Sequence, residues 1–137
     1  MLNFEKATAL KKAHFPQPQP ELGQTWYDRK GGLWIVGTYG AQNPHDLVFR
    51  SLGETSWEWP CDTEGFVLAP AEKDILAELQ KGCRNGFWWA LTAPDKSDNL
   101  WGCACFERNE GKNMEYLSES PAEACADAYL LSVSFIS

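Results

Sequence analysis

Hydrophobic positions near the start of the chain recur at near-helical spacing: Phe4, Ala7, Leu10 and His14. This pattern predicts an amphipathic helix over residues 4–14. Asn3 is placed to cap its start, and Pro16 ends it, because proline disfavours the helical conformation in the residue before it. The alternating prolines of residues 16–23 favour a stiff, extended connector. Since PQPQP lacks the two-residue gap of a PxxP motif, we interpret this segment as a spacer rather than a ligand for an aromatic groove.

β-branched and aromatic residues dominate two segments, 24–28 and 33–38, which flank the tetrapeptide RKGG. The pattern predicts a β-hairpin, because the glycines of the turn tolerate positive φ. Turn residues separate three further extended segments: 46–52, 57–60 and 65–69. The first half of the chain is therefore expected to be mainly β-sheet after its opening helix.

A second helix is predicted over 70–81, with Pro70 at its first position and Gly82 as its C′ stop. A β-meander follows it. Its strands are predicted over 86–93, 99–107 and 113–117, with polar turn residues between them.

The clearest local signal marks a final helix over 121–134, where Ser120 and Glu123 have the spacing of a capping box. Apolar residues cover this helix nearly all round, so it should be buried on more than one side. The elements follow the order α-βββ(β)-α-βββ-α. Short connections favour antiparallel pairing. We expect an α+β fold, in which a mostly antiparallel sheet of about six or seven strands carries three helices, and a single domain over 1–137.

The net charge of the chain limits the classes of partner that it is expected to bind. Asp and Glu number 19 against 12 Lys and Arg, giving a net charge of −7, which disfavours direct binding to a phosphate backbone. The N-terminus carries charges where the apolar part of a signal peptide would lie, and there is no apolar run long enough to span a membrane. We therefore expect a cytoplasmic protein with reduced cysteines.

Two cysteines stand one residue apart in LWGCACF, residues 100–106. On a strand, Cys103 and Cys105 share one face and would offer two metal ligands. A structural zinc site takes four ligands, usually from paired motifs, and the other three cysteines stand alone. We expect buried thiols that pack as small apolar side chains, with a zinc site or a reactive thiol as alternatives.

No motif for catalysis or for a cofactor is evident. His45 lies beside Asp46 on a predicted loop, the layout of a general base, but no nucleophile motif accompanies it, so we expect a polar turn. The glycines form neither of the known phosphate-binding loops. We expect no catalytic residue, no metal and no cofactor.

The tryptophans are the main candidates for a binding surface. Trp57 and Trp59 flank Glu58 in a segment rich in Gly, Ser and Pro, and Trp88 and Trp89 point to opposite faces of one strand. An exposed tryptophan is typical of a protein-binding hot spot, and it also stacks on bases or sugars. We take Trp57, Glu58, Trp59 and Trp88 as candidate binding residues.

Acidic residues in the turn of the meander, Asp95 and Asp98, complete the candidate surface. They are suited to meet a basic groove on a protein partner.

Both ends of the chain carry a likeness. The segments LKKAHFPQPQP (10–20) and SESPAEACADAYL (118–130), with aromatic strands such as TWYDR and GLWIVG between them, resemble small phage and prophage proteins. The resemblance implies a phage or prophage origin and a bacterial cytoplasm. It brings no catalytic residues with it.

The expected function is that of a non-enzymatic, phage-type accessory protein that binds another protein of the host or phage, with inhibition of a host defence system as one form. The alternative is a small-ligand binding domain that stacks a nucleotide or sugar on exposed aromatic residues. An enzyme that uses His45 or a cysteine is the third hypothesis. A homodimer formed through a strand edge or the aromatic surface stays open.

Overall fold

A computed structural model describes residues 2–38, 47–51, 57–58, 64–94 and 96–136, with the backbone alone at 57–58 and 133–136. These residues form, in chain order, α1 Phe4–Lys12, β1 Thr25–Tyr27, β2 Leu33–Thr38, β3 Leu47–Ser51, β4 Trp57–Glu58, β5 Val67–Ala69, α2 Glu72–Lys81, β6 Phe87–Thr92, β7 Trp101–Glu107, β8 Gly111–Ser118 and α3 Pro121–Ile136.

The α+β class, the antiparallel pairing and the predicted order of elements are confirmed. The strands form two sheets, one of five and one of three strands. The chain divides into two compact units, Asn3–Ala69 and Pro70–Ser137, the second of which includes Leu2. That residues 1–137 form a single domain stays a prediction. Among the described helices, none has the length and apolar character needed to cross a membrane.

The sheet of the N-terminal unit has the strand order β4-β3-β2-β1-β5. Its core is aromatic: Trp26 and Phe49 are fully buried, their rings lie 5.9 Å apart, and Phe49 stacks on Phe66 at 4.6 Å. Large rings in offset contact bury much apolar area for few residues. The three residues of β5 are all buried, so this short strand is held by packing as well as by its pairing with β1.

Helix α1 begins as predicted, because the Asn3 side chain accepts a hydrogen bond from the amide of Lys6 at 2.9 Å. It ends earlier than predicted, at Lys12. His14 has φ 67° and its amide bonds Lys11 O, while the amide of Phe15 bonds Leu10 O.

This is a Schellman ending with a left-handed histidine in place of glycine. His14 is therefore exposed beyond the helix rather than on its apolar stripe.

The hairpin between β1 and β2 is organised by one carboxylate. Asp28 Oδ1 accepts from the amides of Lys30 and Gly32, both at 2.8 Å, and its Oδ2 accepts from Trp34 Nε1 at 2.9 Å. Gly31 has φ +84°, and a Cβ on Gly32 would lie 2.6 Å from Asp28 Oδ2. Both glycines of RKGG are thus required, one for conformation and the other for space.

The same contacts set the ionisation of Asp28. Partial burial alone would raise the pKa of this carboxyl, but the hydrogen bonds from Trp34, Gly32 and Lys30 stabilise its charged form. The pKa of Asp28 therefore lies below its ordinary value.

In the C-terminal unit β6, β7 and β8 form the predicted meander. The pairing Ala90↔Ala104↔Glu115 fixes which side chains share a face, and a bulge lies between Cys105 and Phe106. Helices α2 and α3 pack on each other, α2 on β6 and α3 on β7 and β8.

The ends of α2 differ from the prediction. Ala71 is its N-cap, so Pro70 precedes the helix instead of holding its first position. Gly82 has φ −87° and is not a left-handed stop. The amides of Gly82 and Cys83 instead bond Leu79 O and Gln80 O, which tightens the last turn and satisfies those carbonyls.

Helix α3 has the predicted cap, since Ser120 Oγ accepts from the amide of Glu123 at 3.4 Å. The Glu123 carboxylate accepts from Ser118 Oγ at 3.1 Å, which ties the helix start to the end of β8. The expected burial on several sides is confirmed by five buried residues: Ala122, Ala124, Cys125, Ala126 and Ala128. Small side chains at these positions allow the helix to approach both α2 and the sheet closely.

Candidate functional site

A cleft of about 390 Å³ lies within the C-terminal unit, between the end of α2, the middle of α3 and one face of the three-stranded sheet. It is lined by four aromatic rings: Phe87, Trp89, Tyr116 and Tyr129. Leu79, Met114 and two thiols add apolar and sulfur surface, and Glu78 and Arg84 are its charged members. The volume falls in the range of small-molecule sites.

The strand period brings the rings of the sheet together. Phe87 and Trp89 are two residues apart on β6, so their side chains lie on the same face of the sheet. The ring of Trp89 reaches across β7 and stacks on Tyr116 of β8, with ring centroids 6.3 Å apart. The Tyr116 hydroxyl lies 3.7 Å from Met114 Sδ. Since Met114 is 41% exposed, this wall of the cleft is open to solvent.

The first strand of the sheet is held against α2 by a glutamine. Gln80 Oε1 accepts from the amide of Trp89 at 3.1 Å, and its Nε2 donates to Phe87 O at 3.4 Å. The side-chain amide thus pairs with β6 much as a neighbouring strand would. Gln80 therefore positions two of the four rings without lining the cleft itself.

Two thiols, those of Cys83 and Cys105, line the cleft. Cys83 Sγ donates to Leu79 O at 3.5 Å and accepts from the indole of Trp89. Burial raises the pKa of Cys83, although the Trp89 hydrogen bond offsets part of that rise. Burial and the nearby Cys83 also raise the pKa of Cys105. Both groups are therefore neutral thiols at physiological pH and poor nucleophiles.

The predicted burial of the LWGCACF cysteines is confirmed, with Cys103 fully buried and Cys105 nearly so. The Cys103 thiol hydrogen-bonds to Cys125 of α3, and this bond together with burial raises the pKa of Cys103. Among the described residues, no three His, Cys, Asp or Glu side chains are grouped as metal ligands would be.

Two charged residues, Glu78 and Arg84, line the cleft. Glu78 is paired with Lys81 at 2.8 Å, but the Lys81 side chain is 72% exposed while that of Glu78 is 23% exposed. Burial raises the pKa of Tyr129, and the negative charge of the Glu78 carboxylate adds to that rise. Arg84 lines the same opening and is exposed.

Of the predicted binding residues, Trp88 and Asp98 have described side chains. Trp88 is 42% exposed, on the sheet face opposite the cleft, and stacks on Phe106 at 5.7 Å. Asp98 is exposed and its Oδ1 accepts from the amide of Leu100 at 3.2 Å, a turn contact.

The other predicted residues fall outside what the structure describes. Trp59, Asp95 and His45 lie outside the described residues, and Trp57 and Glu58 are described only as the backbone of β4.

The face that carries Trp88 has its own organisation. Thr92 Oγ1 donates to Glu115 Oε2 at 3.1 Å across Gly102, and a Cβ at position 102 would collide with the Thr92 hydroxyl. Lys112 pairs with the second oxygen of Glu115 at 3.2 Å. Polar contacts therefore link β6 and β8 across β7 on this face, which also carries the exposed ring of Trp88.

The cleft residues were missed because no local motif marks them. The sequence assigns Phe87, Trp89 and Tyr116 to one sheet face only when the register of the three strands is known. The available signal was the alternation that separates Trp88 from Trp89, together with a helix packed on one face. It indicated that the two tryptophans differ, without indicating which one borders a cavity.

Comparisons of the chain with protein-family models, curated proteins and solved structures gave no match.

Proposed function

We propose that this chain is a binding protein whose C-terminal unit holds a small molecule in the aromatic cleft. The observation that carries the proposal is the cleft itself, about 390 Å³ in volume and lined by four aromatic rings. Concave apolar sites with a few polar groups are the usual form of ligand pockets. This is the small-ligand alternative of the sequence analysis, with a different set of aromatic residues.

The side chains of the cleft favour binding over catalysis. A general acid or base needs a pKa near the working pH, and burial moves the pKa of Cys83, Cys105 and Tyr129 upward, away from neutrality. Trp89, Tyr116 and Met114 supply polarisable contact surface. The charged side chains of the lining, Glu78 and Arg84, are suited to orient a ligand.

Adjacent tryptophans on one strand provide a matched test. Purified protein is screened by thermal shift against planar and ammonium-containing metabolites, and each hit is repeated with Trp89→Ala and Trp88→Ala. A ligand at 100 times its Kd stabilises the native state by about 2.7 kcal/mol. We expect hits that survive in Trp88→Ala and are lost in Trp89→Ala.

Two outcomes would count against a ligand site in the cleft. In the first, the hits depend equally on both tryptophans or only on Trp88. In the second, the wild type gives no shift with any compound while circular dichroism shows that it is folded.

A second candidate function has its own support. Trp88 and Leu117 share the sheet face opposite the cleft and are 42% and 48% exposed. Exposed large apolar side chains on a rigid sheet are typical of protein-binding surfaces. We propose this face as the place where a phage-type accessory protein would meet a protein partner, including a target in host defence.

The test for the second function is a tagged pull-down from a bacterial host with wild type and Trp88→Ala/Leu117→Ser. A single protein enriched by the wild type and lost in the double variant supports it. A protein retained equally by both variants excludes this face.

A further inference from the structure

The chemistry of the cleft narrows the class of ligand. We propose that it takes a small zwitterion, whose methylated ammonium group packs against the aromatic rings and whose acidic group pairs with Arg84. This inference rests on the proposed function, because it assumes that the cleft is a ligand site.

The aromatic rings favour a soft cation. The faces of Trp and Tyr rings carry partial negative charge and attract ammonium groups, above all methylated ones that lose little hydration. Trp89 and Tyr116 lie nearly parallel, 27° apart, and Tyr129 and Phe87 complete the lining from α3 and β6. Four rings from three elements thus line one opening, so a cation held there would contact aromatic surface.

Two further features of the lining favour a cation. Glu78 lines the cleft and its side chain is mostly buried, whereas its partner Lys81 is exposed and is not among the lining residues. Leu79, Gly82 and Cys83 place the C-terminal end of α2 at the cleft, and the helix dipole there favours a cation. Both add to the attraction by the rings.

A ligand that carries only a positive charge would leave the guanidinium of Arg84 without an acidic partner. Its guanidinium is always charged and pairs in a planar, bidentate manner with carboxylates and phosphates. A ligand that carries both an ammonium and an acid satisfies the carboxylate and the guanidinium of the cleft together. A volume of about 390 Å³ leaves room for a spacer between the two groups.

Four isosteric probes separate the two charges: glycine betaine carries both, choline the ammonium alone, the tert-butylacetate anion the acid alone, and tert-butylethanol neither. Each is titrated into ¹⁵N-labelled full-length protein while the indole N–H of Trp89, assigned with Trp89→Phe, is followed by NMR. We expect betaine to bind at least tenfold more tightly than choline or tert-butylacetate, about 1.4 kcal/mol for each charge.

Two surface variants assign the charges to their partners, and a dispersed spectrum shows that each is folded. Glu78→Gln should weaken betaine and choline several-fold, leave tert-butylethanol unchanged, and leave tert-butylacetate unchanged or tighter. Arg84→Gln should weaken betaine and tert-butylacetate and leave choline unchanged or tighter.

The inference is overturned if tert-butylacetate binds as tightly as betaine, because the ammonium is then not recognised. It is equally overturned if choline does so, because Arg84 then selects nothing. Four equal affinities, or no shift with any probe, also overturn it. In every one of these cases the proposed function stands if the thermal-shift screen finds a ligand whose binding depends on Trp89. It fails only if that screen finds no ligand, or finds ligands whose binding depends equally on both tryptophans or only on Trp88.

Discussion

Replacing Asp28 with asparagine should destabilise the N-terminal unit far more than its half-exposed position suggests. The carboxylate accepts three hydrogen bonds within 2.9 Å, one of them from the indole of Trp34, a residue that is 8% exposed. Asparagine keeps one acceptor oxygen for the turn amides and turns an NH₂ donor toward the indole. The Trp34 N–H then loses its partner.

The expected magnitude follows from these contacts. A buried donor left without a partner costs about 1–3 kcal/mol, and hydrogen bonds to a charged acceptor are roughly twice as strong as neutral ones. We expect a loss of about 2–3 kcal/mol in the free energy of unfolding. With a urea m-value of about 1–3 kcal/mol/M, the midpoint should fall by about 1 M.

Urea unfolding followed by tryptophan fluorescence measures this change, with Asp98→Asn as the control. Asp98 also accepts from a turn amide, but it is exposed and holds a single contact of 3.2 Å, so its replacement should cost no more than about 0.5 kcal/mol. A double-mutant cycle with Trp34→Phe should give a coupling of about 1 kcal/mol or more.

The pH dependence has a definite sign. Because the pKa of Asp28 is lower in the folded state than in the unfolded chain, its stabilisation is fully present above the unfolded pKa, at about 3.9. It is lost as pH falls through the lower folded pKa. The difference between wild type and Asp28→Asn should therefore shrink below about pH 4. Equal losses for the two aspartates, or no coupling to Trp34, would refute the role assigned to this carboxylate.

Three further outcomes are expected. Gly102→Ala should lower the free energy of unfolding by about 1–2 kcal/mol, because its Cβ collides with Thr92 and breaks the bond to Glu115; an unchanged urea midpoint would show that the strands yield freely. Ser120→Ala should cost about 1 kcal/mol through the lost helix cap, and a thermal melt identical to wild type contradicts this. Cys103 should resist iodoacetamide at pH 8 in the native protein and react in urea, because burial and its hydrogen bond raise its pKa; rapid native labelling seen by mass spectrometry would show that it is accessible.

Elements defined by contacts over three or four residues were predictable from the sequence. Asn3 caps α1, Ser120 caps α3, and the glycines after Asp28 form the hairpin turn. In each case the residue that gives the signal is also the one that makes the contact. The end of α1 is an exception. His14 takes the left-handed conformation that glycine usually provides, and a histidine at this position does not predict that conformation.

Features that depend on pairing between distant segments were not predictable. The separation of the strands into two sheets depends on β5 pairing with β1, which joins positions about forty residues apart. The cleft depends on Trp89 meeting Tyr116 across β7, while the preference for functional residues in loops directed attention to Trp57 and Trp59. Alternation separated Trp88 from Trp89, but the face on which α2 and α3 pack came only from the structure.

The alanines of α3 have a consequence for how likeness to other proteins should be weighed. Ala122, Ala124, Ala126 and Ala128 are each buried, so a larger side chain overpacks the helix and glycine weakens it by about 1 kcal/mol. These positions therefore tolerate few residues other than alanine. A deep mutational scan would show as little tolerance to substitution here as at catalytic residues. Selection on packing alone would then keep these four alanines constant, whatever the protein binds. A match confined to this segment therefore indicates shared architecture and carries no information about function.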